Sequence, residues 1–159
     1  MIRKVLLATV VAATLDMVAN FLLWGLWKGI SPQRICQAVA TGLFGKASFD
    51  GGLVTAAAGL VAELVIVFFM AVGYLILIRV VPWARKHWGW GAVGYGLFLY
   101  VAMNYVVVPL SAAGRPLSWP LVWDFKLAFN VFCHIALVAL PFALILREGS
   151  GLQQNDQTP

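Results

Sequence analysis

Four long stretches of the chain are almost entirely apolar. They cover about residues 5–27, 52–81, 90–110 and 121–146. A helix rises about 1.5 Å per residue, so about twenty apolar residues cross a hydrocarbon layer of about 30 Å. Residues 52–78 hold Glu63 as their single Asp, Glu, Lys, Arg or His side chain and show none of the polar face that a soluble helix needs. The pattern therefore predicts four transmembrane helices.

A shorter helix is predicted in the connection between the first two spans, over about residues 32–44. Ser31 can cap it, Pro32 suits the first helical position, and Gly42 or Gly45 can end it. Apolar residues fall on one side of this helix: Ile35, Cys36, Val39, Ala40 and Leu43. Polar residues fall on the other side: Gln33, Arg34, Gln37 and Thr41. We expect an amphipathic helix at the membrane interface or folded over the mouth of the bundle. It would serve either as a lid that buries the backbone of the loop or as a gate for a substrate.

The order of these elements predicts an all-α fold, a four-transmembrane-helix bundle with a short amphipathic interfacial helix between spans one and two. Residues 1–148 are expected to make a single integral membrane domain, and the polar tail, residues 149–159, is expected to be disordered. Pro141 is expected to kink the fourth span, because proline interrupts the hydrogen bonds of a helix.

Composition agrees with a membrane protein and excludes several other classes. Hydrophobic residues make up 62% of the chain and charged residues 11%, whereas soluble domains are about 25% charged. The net charge of +5 is spread over the span ends, which is typical of topology signals and of contacts with anionic lipid rather than of a nucleic-acid surface. Cys36 lies in a connection and Cys133 in an apolar span, so no disulfide framework is expected.

Basic and aromatic residues predict the orientation of the spans. One side of the membrane would hold six basic residues: Arg3, Lys4, Arg79, Arg85, Lys86 and Arg147. The other side would hold four, with Lys126 just inside a span: Lys28, Arg34, Lys46 and Arg115. All seven tryptophans fall near predicted span ends, where indole favours the headgroup region. We therefore expect a multi-pass protein of the bacterial inner membrane, with its N- and C-termini in the cytoplasm.

Polar residues within the spans are the candidates for function, because an isolated charge at the bilayer centre costs about 2.5–3.5 kcal/mol. Depth along each helix places one titratable side chain near mid-membrane on each of three spans, with amides about one turn away. The predicted polar cluster has six members: Asp16, Asn20, Glu63, Asn104, Asn130 and His134. Two carboxyls and an imidazole can offset the cost of burial by sharing protons and hydrogen bonds.

Several interpretations of this cluster remain open. In the first, it only fixes helix register through interhelical hydrogen bonds, although such bonds contribute about 0.6 kcal/mol each. In the second, it is a site that handles protons or cations at the membrane midplane. In the third, Asp16, Glu63 and His134 bind a divalent metal ion. A fourth makes the chain an accessory subunit that acts through the surface of a partner.

The sequence contains no catalytic motif that would indicate an enzyme, such as HExxH, a phosphate-binding loop or paired cysteines. We also expect no cofactor, since His134 is the single buried candidate for a haem ligand. The expected partners are the lipid bilayer and either a second copy of the chain or another membrane protein, because a chain of 17.3 kDa rarely encloses a transport path alone. No nucleic acid is expected.

Three runs of the sequence resemble a known group of proteins. They are PQRICQAVATGLFGKASFDGG, TAAAGLVAE and MNYVVVPLSAAG, within about residues 10–115. In these runs the chain is similar to small uncharacterised inner-membrane proteins of bacteria, of the YagU-like kind. The resemblance implies that relatives often carry a histidine at the position of Glu63, and hence that the site tolerates different titratable groups. It implies no particular activity.

Overall fold

A computed structural model describes residues 1–114 and 125–147 of the chain. Four helices in these ranges are long and apolar enough to cross a membrane. They are span 1 (Ile2–Trp27), span 2 (Gly52–Val80), span 3 (Trp88–Leu110) and span 4 (Phe125–Arg147). The interfacial helix, Pro32–Phe44, lies between spans 1 and 2, and the described ranges contain no strand. The predicted all-α, four-span fold class is therefore confirmed. The predicted tail and the predicted start of span 4 at residues 121–124 lie outside the described residues.

One half of the bundle is a packed apolar core. We call it the terminal half, because it contains the first residues of the chain and the last residues of span 4. It also contains the short helix Pro82–Lys86, which links spans 2 and 3. Its fully enclosed alanines, such as Ala12 and Ala71, allow the helices to approach closely. The Tyr95 hydroxyl donates a hydrogen bond to the Met70 carbonyl at 2.7 Å, which joins span 3 to span 2. The core therefore closes the bundle on the side of the chain ends.

The spans follow one another around the bundle in the order 2, 1, 4, 3. Span 1 packs against spans 2 and 4, and span 4 packs against span 3. Spans 2 and 3 make few backbone contacts with each other, and Tyr95 of span 3 contacts Met70 and Tyr74 of span 2. The bundle thus has a loosely closed seam between spans 2 and 3, and two apolar cavities lie along it.

The interfacial helix begins and ends as its sequence predicts. The Arg34 backbone N–H donates to the Ser31 Oγ at 3.3 Å, Pro32 is the first helical residue, and Gly45 follows the last one with φ of 60°. The positive φ at the end of the helix favours glycine, because it has no Cβ to clash there.

The buried side of the interfacial helix differs in part from its apolar side. Gln37 and Thr41 are buried, whereas Leu43 is 57% exposed. The reason is the loop that precedes span 2, whose backbone groups need partners. Gln37 Nε2 donates to the Gly52 carbonyl at 3.0 Å, and Ser48 Oγ donates to the Gln37 carbonyl at 2.9 Å. The helix therefore turns polar residues inward to satisfy this loop.

Candidate functional site

The polar side chains of the spans lie in the half of the bundle next to the interfacial helix. On span 1 they form a hydrogen-bonded ladder along one face. Asn20 Nδ2 donates to the Asp16 carboxylate at 3.1 Å and to the Asp16 backbone carbonyl at 2.9 Å. Trp24 Nε1 in turn donates to Asn20 Oδ1 at 3.2 Å. The ladder fixes the orientation of the Asp16 carboxyl.

Spans 3 and 4 contribute a second hydrogen-bonded group. Asn104 Nδ2 donates to the Tyr100 carbonyl at 2.9 Å and to Asn130 Oδ1 at 3.3 Å. His134 Nδ1 lies 2.9 Å from the Asn130 backbone carbonyl. Because a carbonyl can only accept, this bond requires a proton on Nδ1 and leaves Nε2 as the basic nitrogen of the neutral ring.

A cavity of about 380 Å³ brings the two groups together, with Asp16 on one wall and Asn130 and His134 on the other. The Cys133 thiol and the His134 ring are near enough to the Asp16 carboxyl to interact with it. Lys126 also lines this cavity. Span 1 and span 4 therefore present a carboxyl and an imidazole to the same cavity.

Glu63 of span 2 faces the same region from another direction. A second cavity, of about 520 Å³, has both Asp16 and Glu63 in its walls. The two carboxyls are near enough to interact electrostatically. Arg34 of the interfacial helix lies at the exposed end of this cavity, with its guanidinium 4.4 Å from the centre of the Phe49 ring. The structure thus brings Glu63 beside Asp16, and Asp16 beside His134.

Five of the six residues predicted for the polar cluster line one or both cavities, and Asn104 reaches them through its bond to Asn130. Four further residues with a polar or charged group line the cavities but were not predicted for the cluster: Trp24, Arg34, Lys126 and Cys133. Trp24 could have been predicted from the sequence, since it follows Asn20 by one helical turn on the same face. The other three line the cavities because separate helices pack together there, and this packing cannot be predicted from local sequence patterns.

Three spans change from α-helix to π-helix near these polar side chains. The π segments are Phe21–Trp27, Met103–Val107 and Cys133–Ala139. Asn20 immediately precedes the first segment, and Asn104 and His134 lie within the other two. Each of these side chains bonds to the carbonyl four residues earlier, which competes with regular helical hydrogen bonding. Such wide turns occur frequently at functional sites.

Proline explains two of the π segments. Pro109 follows the segment in span 3, and Pro141 follows the segment in span 4. Proline has no N–H to donate, and its ring clashes with the carbonyl four residues earlier, so the preceding turn widens. Where the sequence predicts a kink at Pro141, the structure has the π segment Cys133–Ala139.

Close packing between spans 3 and 4 positions His134. A Cβ atom at Gly96 would lie 2.7 Å from the Ile135 Cα and 2.9 Å from the His134 carbonyl oxygen. These distances are shorter than ordinary van der Waals contact, so glycine is needed at this position. Gly96 therefore allows the π segment of span 4 to lie directly on span 3.

The described residues give no geometric support to a metal site. Within residues 1–114 and 125–147, no three His, Cys, Asp or Glu side chains are grouped closely enough to hold a metal ion. Asp16, Glu63 and His134, the ligands of the predicted metal-binding alternative, are therefore not grouped as a metal site in these ranges. Cys36 and Cys133 are both free thiols.

The fold and composition define a class of protein: a multi-pass membrane protein whose four apolar helices are compatible with contact with a lipid bilayer. Comparison with protein-family models, with curated proteins and with solved structures found no match to the chain. The resemblance to YagU-like membrane proteins therefore stays a prediction.

Proposed function

We propose that this chain binds and transfers protons, or cations in exchange for protons, at a polar site formed by Asp16, Glu63 and His134. The observation that supports this proposal is that the three side chains line two adjoining cavities. Asp16 and His134 line one cavity, and Asp16 and Glu63 line the other. Each group can take up and release a proton. Because they lie close together, the charge on one affects proton uptake by the others.

The position of the apolar core favours a binding site over an open channel. The polar cavities extend toward the interfacial helix, where Arg34 is exposed. On the opposite side, the packed residues of the terminal half, such as Val67 and Val138, close the bundle. Transfer to that side requires the helices to rearrange. The π segments beside the cavities are places where a span can change its hydrogen-bonding register during such a rearrangement.

The charged groups around Glu63 explain why protons and cations would compete. Asp16 faces Glu63 from span 1, with His134 of span 4 behind it. Arg34 and Cys36 approach Glu63 from the interfacial helix. A proton on Glu63 removes its repulsion with Asp16, and a cation between the two carboxyls has the same effect. Uptake of one therefore favours release of the other, which is the basis of exchange.

The proposed location is the bacterial inner membrane, with both chain ends in the cytoplasm. The basic residues Arg3, Lys4 and Arg85 near the cytoplasmic ends of the spans support this orientation. The polar cavities would then open toward the periplasmic face. A second copy of the chain or another membrane protein would complete the transfer path, since this bundle is small.

The test is proton flux across liposomes that contain the purified protein and a pH-sensitive dye, after an imposed membrane potential or cation gradient. We expect wild type to show flux above that of empty liposomes. Glu63→Gln should abolish it, and Asp16→Asn and His134→Asn should reduce it. The matched control is Asp50→Asn, which removes an exposed carboxyl outside both cavities. Wild-type flux equal to that of empty liposomes under every gradient would contradict the proposal.

A structural or accessory role is the second candidate, and the Asn104–Asn130 bond between spans 3 and 4 favours it. In that case Glu63→Gln and His134→Asn should change the melting temperature in detergent, while proton flux stays at background. Purification with a single stable membrane partner would then identify the chain as an accessory subunit.

A further inference from the structure

An apolar chamber adjoins the polar site at Glu63. It has a volume of about 720 Å³ and lies between the interfacial helix, span 2 and the end of span 3. Glu63 is the single ionisable residue among the described residues that line it. The chamber lies on the loosely closed seam between spans 2 and 3, and its rim includes the exposed side chains of Val61, Val65 and Val107. In a membrane this rim faces lipid.

The apolar chamber and the 520 Å³ polar cavity share three wall residues, Ala38, Val39 and Glu63. The Glu63 carboxyl therefore stands between an apolar space that is open to lipid and a polar space that contains Asp16. Trp24 also lines the polar cavity, and an indole face attracts cations. Each space falls within the range of about 300–1,000 Å³ that small-molecule sites occupy.

We propose that the two spaces form one binding site for a lipophilic organic cation. Its apolar body occupies the chamber on the seam, and its positive group lies against Glu63 and Asp16. The cation enters sideways from the bilayer, and its binding releases a proton from Glu63 through the polar cavity. This inference rests on the proposed function, and it specifies that the exchanged cation is amphiphilic.

The charges at the junction select for a positive ligand. Two carboxyls face it, whereas the guanidinium of Arg34 lies over the Phe49 ring at the exposed end of the cavity. An anion of the same shape would be repelled by Glu63, the group between the two spaces. An inorganic cation would gain nothing from the apolar chamber, whose lining offers few oxygen ligands.

The test compares two probes of the same shape and opposite charge, tetraphenylphosphonium and tetraphenylborate. Equilibrium dialysis of each against the purified protein in detergent, with empty micelles as the blank, measures binding. We expect saturable binding of the phosphonium and no saturable binding of the borate. Glu63→Gln should weaken phosphonium binding about tenfold or more, because the carboxylate charge is lost. Asp50→Asn should bind like wild type.

A second variant tests the apolar chamber separately. Ala58 lines this chamber and not the polar cavity, so Ala58→Phe should fill the chamber without removing a carboxyl. We expect Ala58→Phe to lose phosphonium binding and to keep the proton flux that depends on Glu63. Unchanged phosphonium binding in this variant would overturn the assignment of the chamber.

The failure of this inference can be distinguished from failure of the proposed function. Equal binding of the two probes by wild type overturns the cation site, and this comparison requires no variant to fold. Glu63-dependent proton flux without phosphonium binding overturns the inference alone. Phosphonium binding that needs Glu63, without any such flux, supports the cation site and overturns the proposed proton transfer.

Discussion

Gly59 of span 2 lies directly against the backbone of Cys36 in the interfacial helix. A Cβ atom at Gly59 would collide with the Cys36 carbonyl oxygen. Position 59 is about one helical turn before Glu63, so this contact determines how close the interfacial helix comes to the carboxyl. It thereby sets the wall that the polar cavity and the apolar chamber share.

Gly59→Ala should destabilise the protein by about 1–3 kcal/mol, because the added methyl group overpacks this contact. Gly94→Ala is the control, since a Cβ atom at Gly94 meets nothing within 4 Å. Alanine favours helix over glycine by up to about 1 kcal/mol, so the control should be neutral or slightly stabilising. Thermal melting in detergent measures both. Equal melting of Gly59→Ala and wild type would contradict the close contact.

Gln37→Ala should destabilise the junction between the interfacial helix and span 2. The Gln37 side chain is 2% exposed and donates to the Gly52 carbonyl and to the Thr55 Oγ1. Removing it leaves these acceptors without that donor, at a cost of about 1–3 kcal/mol. Gln33→Ala, at an exposed position on the same helix, should change stability by less than about 0.5 kcal/mol. If chemical denaturation in detergent gives equal losses, the buried role assigned to Gln37 is wrong.

Gly96→Ala should displace the π segment of span 4 from span 3, since the new methyl group meets the Ile135 backbone and the His134 carbonyl. Under the proposed function, we expect proton flux to fall several-fold at a temperature where the variant is still folded. Gly94→Ala, on the same helix, is the matched control. Wild-type flux in folded Gly96→Ala would show that the position of His134 does not matter for transfer.

Cys36 reports the charge on Glu63. Burial raises the pKa of the Cys36 thiol, and the neighbouring Glu63 carboxylate raises that pKa further. Glu63→Gln removes this negative neighbour, lowers the thiol pKa and increases the thiolate fraction at a given pH. At mildly alkaline pH we therefore expect faster maleimide alkylation of Cys36 in Glu63→Gln than in the parent, both carrying Cys133→Ala.

Asp50→Asn in the same background should leave the alkylation rate of Cys36 unchanged, because Asp50 is not among the groups that shift the thiol pKa. Mass spectrometry of the labelled peptide follows the rate. An equal rate with and without Glu63 would mean that position 63 carries no charge near Cys36.

Labelling from each side of the membrane tests the proposed orientation. Ser31→Cys and Arg85→Cys place single exposed thiols at opposite ends of the bundle, in a background without Cys36 and Cys133. A membrane-impermeant maleimide should label the first in intact spheroplasts and the second only after permeabilisation. The reverse pattern would put the polar cavities on the cytoplasmic side.

The elements of this protein follow from local sequence. A membrane helix satisfies its backbone hydrogen bonds within itself, so an apolar run of sufficient length predicts a span without knowledge of its neighbours. The same holds for the interfacial helix, where Ser31, Pro32 and Gly45 act on adjacent backbone. The polar positions Asp16 and Glu63 stand out for a local reason too, because charge is costly inside a span.

Contacts between distant residues were decided by tertiary structure alone. Amphipathic periodicity put Gln37 on the polar side of the interfacial helix, but the loop before span 2 turns it inward. Depth along the helices predicted Asp16 and Glu63 in one layer of the membrane, but only the packing of spans 1 and 2 makes them face each other. The apolar chamber on the other side of Glu63 has no counterpart in the local sequence. These features depend on the rotation and separation of whole helices, which glycines such as Gly59 and Gly96 set by permitting close approach.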